Sequence, residues 1–232
     1  MTQTHRPLQQ NLEIQIHPGA RLQERLARLF DLREHDPATR ATAQQFIHDC
    51  FAAAHGARIC HYMPRLLSLY AGQEMVAAFG LRTAGSTRLF LETYLDHPIE
   101  AVLQERLGQD VRREEIIEVG NLSARYPGAA RLLIVALTAL LHEVGYRWVV
   151  FTGTAALRNG FQRLGLRPVE LGLATLQHLP AHERADWGRY YEASPIVMAG
   201  DIAHGYRELL LDHALFQSLR AGISPVDEAN LA

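Results

Sequence analysis

The strongest constraint on the fold lies in residues 115–152, where two β-type runs flank one long apolar helix. EIIEVGNL reads as a strand over 115–122 and the apolar stretch 146–152 as another. Between them, 128–144 has helical spacing and almost no charge, with the run 132–141 broken only by Thr138. A helix so poor in polar residues belongs in a core, and flanking strands supply the sheet it needs. A second helix over 154–164 and a strand over 169–176 extend the pattern to β-α-β-α-β. That order predicts one α/β domain with a mixed sheet. The run 132–141 falls well short of the roughly 18 apolar residues that span a bilayer, so no spanning segment is expected.

Upstream, residues 1–20 read as a leader or, from the alternating Leu12, Ile14 and Ile16, an edge strand, and amphipathic helices are expected over 21–32 and 41–54. Runs 66–70 and 75–81, separated by Ala71-Gly72-Gln73-Glu74, read as an antiparallel hairpin, and 89–92 as a further short strand. Pro98 starts a helix over 99–107. Beyond 179 the chain becomes polar and aromatic. There Trp187, Tyr190 and Tyr191 read as an aromatic edge that packs the C-terminal segment, with the lining of an acyl or acceptor pocket as the alternative, before a last helix over 204–219.

Charge narrows the function. With 23 basic and 25 acidic side chains the chain has no general field to gather nucleic acid or an anionic membrane. An anion site must therefore be local. Cys50 and Cys60 match no zinc or redox spacing and read as reduced, structural thiols. The histidines show no metal-ligand spacing, so no metal is expected. The first twenty residues lack a signal-type apolar core, and a cytoplasmic location is expected.

The local anion site has a candidate. After the strand that holds Glu118 comes Arg125-Tyr126-Pro127-Gly128-Ala129-Ala130, the start of the core helix. Helix N-termini offer unpaired N–H groups and a positive dipole end, and small residues admit a phosphate to the backbone. Arg125 adds charge, as does Arg131 if it faces outward. The bland alternative is a proline-started helix whose Gly-Ala-Ala packs closely on the sheet.

Arg125-x-x-Gly128-x-Ala130, placed between strand and helix, resembles the [Q/R]-x-x-G-x-[G/A] pyrophosphate loop of the GNAT acyltransferase superfamily. Phe161-x-x-x-Gly165-Leu166 is similar to that fold's Y-x-x-x-G-[FL] segment. Residues 72–171 resemble the acyl-homoserine lactone synthase branch. EVGNLSA, GAARLL, WVVFTGT, LRNGFQRLGL and WGRYYEASPIVMAGD, spread over about 43–201, resemble the thermostable hemolysin family.

The resemblance implies a three-layer α/β/α fold with a mixed, mostly antiparallel sheet. It places an extension and helix in 1–40, a GNAT-like domain in 41–201 and a helix with tail in 202–232. It implies transfer of an acyl group from acyl-CoA, or from the acyl-phosphopantetheine of an acyl carrier protein, to a small-molecule amine. The expected cofactor contacts are Arg125, Tyr126, Gly128, Ala129, Ala130, Arg131, Thr152, Thr154 and Asn159, with Thr154 also capping the next helix. Glu118 is the expected base and Asn121 either orients substrate or satisfies its own loop. Two positions depart from the relatives. Gly120-Asn121 replaces the Ser-Arg of the lactone synthases, and Phe161 stands where many GNAT enzymes carry a proton-donating Tyr. A membrane-active protein and a non-catalytic thioester-binding module are the rival readings.

Overall fold

A computed structural model describes residues 31–85 and 87–211. Seven strands form one sheet in the order β1-β2-β3-β4-β5-β7-β6. They are β1 (Asp31–Glu34), β2 (Arg65–Ala71), β3 (Glu74–Thr83), β4 (Ile116–Ala124), β5 (Trp148–Gly153), β6 (Val169–Leu173) and β7 (Ile196–Asp201). Every neighbouring pair is antiparallel except β4 and β5. The helices are α1 (Arg40–His55), α2 (Ile99–Leu107), α3 (Pro127–Val144), α4 (Ala155–Arg163) and α5 (Ile202–Leu211).

The alternation of a strand decides the layers. Ile117 and Val119 of β4 face α3, in a core with Leu132, Leu133, Val135 and Phe151. Ile116 faces the other way, toward Leu103 of α2, Trp148 and Val150. On that second face α1 sets Ala43, Phe46 and Ile47 against Leu66, Met75 and Ala78. The result is the expected α/β/α sandwich of GNAT type. Helix α3 is long and apolar enough to cross a membrane by length and composition alone. It is instead the core helix, with Leu133 and Val135 fully buried.

Several sequence expectations change. Strand β7, within SPIVMAGD, was not anticipated, and it inserts between β5 and β6, so the βαβαβ unit does not close on itself. The expected strand over 89–92 is a short 3-10 helix, Leu91–Tyr94, because Glu92 turns inward and accepts the Leu89 and Ile99 N–H groups. Asp31 and Leu32, expected to end a helix, lie in β1, whose Asp31 pairs with Tyr70. The rest of that helix, the expected strand around Leu12 and the last helix beyond 211 lie outside the described residues. The other elements match the expected ones to within a few residues at their ends.

Candidate functional site

Strands β4 and β5 pair only from Ile116↔Trp148 to Val119↔Phe151, and beyond that point they part. Their separation is driven by β4 itself. Between the pairs Ala78↔Ser123 and Gly80↔Gly120, two residues, Asn121 and Leu122, oppose the single Phe79. Such a bulge bends its strand and adds twist. Asn121 adopts the left-handed φ of 52° that the bend requires, a conformation Asn tolerates better than most residues. A cavity of about 690 Å³ fills the opening and reaches both faces of the sheet.

One end of the cavity is acidic. Glu118, just 2% exposed, lies on the α1/α2 side, and its two carboxylate oxygens accept the Phe90 and Leu91 N–H groups at 2.9 and 2.8 Å. Burial pushes its pKa up, against the two amides and nearby Arg82, which pull it down. Arg82 is its cross-strand partner on β3 and lines the same cavity. The loop that supplies those amides rests on a second buried carboxylate. Glu92 receives both Leu89 and Ile99 N–H groups and a fork from Arg113, at 2.6 and 3.0 Å. Burial works against its charge, but those donations win and bring it down to about 2.

Asn121 does not point its side chain at open space. Its Oδ1 accepts the Met63 N–H at 2.8 Å and its Nδ2 donates to the His61 carbonyl at 3.2 Å, which ties the segment before β2 to the bulge. Met63 itself seats on the paired glycines of β3 and β4. A Cβ on Gly80 would come within 2.3 Å of the Met63 Cβ, and one on Gly120 within 2.2 Å of its terminal methyl.

The other end is a helix terminus. Pro127 opens α3, Tyr126 at the N-cap gives no side-chain cap, and the Ala130 N–H bonds to the Tyr126 carbonyl. The amides of Gly128 and Ala129 therefore have no intrahelical acceptor, but both residues are buried, and of this first turn it is Tyr126, Pro127, Ala130 and Arg131 that line the cavity. Arg131 and Arg163 line the cavity here, and neither has an ion pair or side-chain hydrogen bond among the described residues. Arg125 lines the cavity too, with its side chain engaged: it donates to the Met75 carbonyl, sits 3.3 Å from Glu74 and lies over the Phe46 ring. Thr152, Thr154 and Asn159 also line the cavity. Thr154 is the N-cap of α4 as expected, but its hydroxyl makes no cap bond.

Of the wall on the α1/α2 side, sequence reasoning offered Trp187, Tyr190 and Tyr191 as one of two readings and missed the rest. Cys50, Phe51 and His55 from α1 and Phe90 and Tyr94 from the turn before α2 join Trp187 and Tyr190 there. The aromatic edge of the C-terminal segment thus borders the cavity as well as packing it. Phe90 stacks on Trp187 with centroids 5.9 Å apart, and the Tyr94 and Tyr191 hydroxyls bond to each other. Burial raises the Tyr94 and Tyr191 phenols, the latter to about 12. The density of rings over 187–191 was the one available signal. Phe161 leaves this cavity altogether: it stacks on Phe151 at 4.9 Å, beneath the opening. Among the described residues no group of three or more His, Cys, Asp or Glu side chains is placed to hold a metal.

A family model described as "Thermostable hemolysin" matches residues 33–206. No curated protein matches the sequence. Among solved structures, FeeM, an N-acyl amino acid synthase from uncultured soil microbes, is 15% identical with a TM-score of 0.55, covering 78% of this chain and 96% of its own. BjaI, described as a CoA-dependent acyl-homoserine lactone synthase with SAM and isopentyl-CoA, is also 15% identical at a TM-score of 0.55, covering 81% and 90%. TofI in its apo form is 16% identical at a TM-score of 0.53, covering 80% and 99%. At these identities the likeness is one of fold.

Proposed function

The chain belongs to the thermostable hemolysin family, and from that starting point we propose that it is an acyltransferase, moving an acyl group from a phosphopantetheine thioester to a small-molecule amine. One observation carries the reading: a single cavity, opened by the parting of β4 and β5, joins a helix N-terminus without a side-chain cap, flanked by two arginines that have no ion pair among the described residues, to a buried carboxylate. The first suits phosphates, through backbone amides, dipole and guanidinium charge. The second suits an amine that must lose a proton. FeeM and BjaI, both described as synthases of acylated products, share the fold.

In this mechanism the Gly128 and Ala129 amides with Arg131 and Arg163 hold the phosphates, while Thr152, Thr154 and Asn159 border the pantetheine arm. The amine nitrogen attacks the thioester carbonyl carbon, the C–N bond forms and the C–S bond breaks. Glu118 accepts the ammonium proton. Its two oxygens have four lone-pair sites in all, and two remain after Phe90 and Leu91. The leaving thiolate takes a proton from Tyr126, at the start of α3, whose phenol burial keeps protonated and whose hydroxyl has no partner among the described residues. Tyr126 thereby does what Phe161 cannot.

The test is binding, then turnover. Gly128→Glu puts a carboxylate among the cradle amides, and CoA affinity measured by calorimetry is expected to fall at least tenfold. Unchanged affinity overturns the cradle. Binding of acyl-CoA or acyl carrier protein without transfer to any amine in a screen would mark a non-catalytic module. Dye release from liposomes by the purified protein at nanomolar concentration would favour lysis; against it stands the burial of α3 in the core.

A further inference from the structure

Three consecutive backbone amides in the turn before α2 point at carboxylates. The Leu89 N–H goes to Glu92 at 2.8 Å, and the Phe90 and Leu91 N–H groups go to the two oxygens of Glu118 at 2.9 and 2.8 Å. Leu89 and Leu91 are each 1% exposed, so no solvent stands ready to replace either partner. Glu92 is buried too, and it also accepts the Ile99 N–H at 2.9 Å, which pins the turn to the first residue of α2. Its charge is matched by Arg113, which does more than pair with it. The Arg113 guanidinium forks onto both Glu92 oxygens, bonds to Glu100 of α2, and donates to the Ala84 and Thr87 carbonyls at 2.8 and 3.1 Å. One side chain thereby ties together the chain entering the turn, the turn itself and the helix that leaves it. Arg113 stands just before Glu118, in the short 3-10 helix Arg113–Glu115 that leads into β4. The clamp and the carboxylate ride on one stretch of chain.

We infer that Glu92 and Arg113 are positioning residues for the transfer: acting through the turn they clamp, they hold the Phe90 and Leu91 amides on Glu118 and so fix the carboxylate that takes the proton of the amine. The inference rests on the proposed acyltransferase reading and extends its machinery to two residues that do not line the cavity. What they control is a base pulled in opposite directions. Burial and the nearby Glu92 charge favour its protonated form, while the two amides and Arg82 of β3 favour the carboxylate. Loosening the turn takes the amides away, and Glu118 then stays protonated to a higher pH. A protonated Glu118 cannot accept. The other titratable groups that share this side of the cavity are Tyr94 of the turn, Cys50 and His55 of α1, His61 and Tyr190, and none of them is altered in the variants that test the inference.

The experiment follows the Glu118 carboxyl by carbon-13 NMR in protein labelled at glutamate, its signal identified by its loss in Glu118→Gln. Glu92→Gln is the informative variant, because charge and position predict opposite signs. Removing a negative charge from beside Glu118 lowers its titration point, whereas losing the carboxylate that holds the Leu89 and Ile99 N–H groups frees the turn and raises it. A rise of about one pH unit is expected, the worth of one charge-assisted hydrogen bond. The double variant Glu92→Met/Arg113→Met removes an oppositely charged pair, a replacement that buried sites often tolerate, and is expected to give the same rise. It keeps the test decisive if Glu92→Gln fails to fold. Turnover is measured in parallel with acetyl-CoA and hexanoyl-CoA against the amine screen. The acid limb of kcat is expected to move up with the titration point, while CoA affinity by calorimetry is unchanged. A titration point that stays or falls in the folded variants overturns the inference and leaves the acyltransferase reading standing. If Glu118→Gln transfers as fast as wild type, Glu118 is not the base and the inference falls with that assignment. If wild type transfers to no amine, the acyltransferase reading itself falls.

Discussion

At the scale of single residues, Glu118 and Asn121 both support backbone, and the proposed reading gives Glu118 a second role. Glu118 holds two backbone amides of the turn before α2, so Glu118→Gln leaves one of them facing an amide donor instead of an oxygen. A stability loss of about 1–2 kcal/mol in urea unfolding is expected from that unsatisfied N–H. If the carboxylate is also the base, turnover falls a hundredfold or more while CoA affinity is unchanged. The rate of the wild-type enzyme should then decline on the acid side at a pH above the usual carboxylate range, since burial raises this group. A rate limb at about pH 4, or full activity in the variant, would remove Glu118 from the chemistry. Tyr126→Phe tests the proton donor in the same way, with at least a tenfold lower turnover and no change in CoA binding. Asn121 differs, because its amide is already engaged at both ends with His61 and Met63. Neither engagement could be read from the sequence, where 58 and 60 positions separate the partners. Glu118 was legible because a lone carboxylate in an apolar strand stands out. Glu92 was not, since its neighbours read as a strand, and only the fold brings Arg113 to it.

At the scale of elements, the hairpin of β2 and β3, the core helix α3 and the strand β5 were legible because their periodicity is unbroken and their ends carry Gly or Pro. Strand β7 was not. Its five apolar or small residues follow a polar aromatic segment, and nothing local distinguishes a central strand from a buried loop. The aromatic wall was half legible: the rings at 187, 190 and 191 were visible, but their neighbours on α1 were not. Gly188, at φ 49°, lets this segment press against the end of α1, where a Cβ would lie 2.4 Å from the His55 carbonyl oxygen. The seat of Met63 gives a comparison of two glycines that face each other across β3 and β4. Gly80→Ala collides with the Met63 Cβ, which is anchored to the backbone, whereas Gly120→Ala collides with the methyl at its far end and presses on its Cγ at 3.2 Å. Overpacking typically costs about 1–3 kcal/mol, and Gly80→Ala is expected near the top of that range with Gly120→Ala near the bottom. Equal losses in chemical denaturation would mean that the strand backbone moves, not Met63.

At the scale of the whole molecule, the buried carboxylates give opposite pH dependences. Glu92 titrates at about 2, below its unfolded value, so its contribution is complete above about pH 4.5 and is lost as pH falls toward 2. A shift of that size corresponds to something on the order of 3 kcal/mol, and Glu92→Gln should flatten the acid arm of a stability profile between pH 5 and 2. Glu118 is raised, so its effect favours the folded state in acid and fades as pH rises through its folded value. A Glu92→Gln variant that still shows the full acid loss would place the sensitivity elsewhere. The order β5-β7-β6 also bears on how the chain is made. Strand β6 leaves the ribosome before β7, yet among the described strands it pairs only with β7. While β7 is awaited, β5 exposes a bare hydrogen-bonding edge, and such edges pair with whatever strand is at hand. A chain halted before residue 196 should therefore aggregate during synthesis, and a chain released after 201 should not.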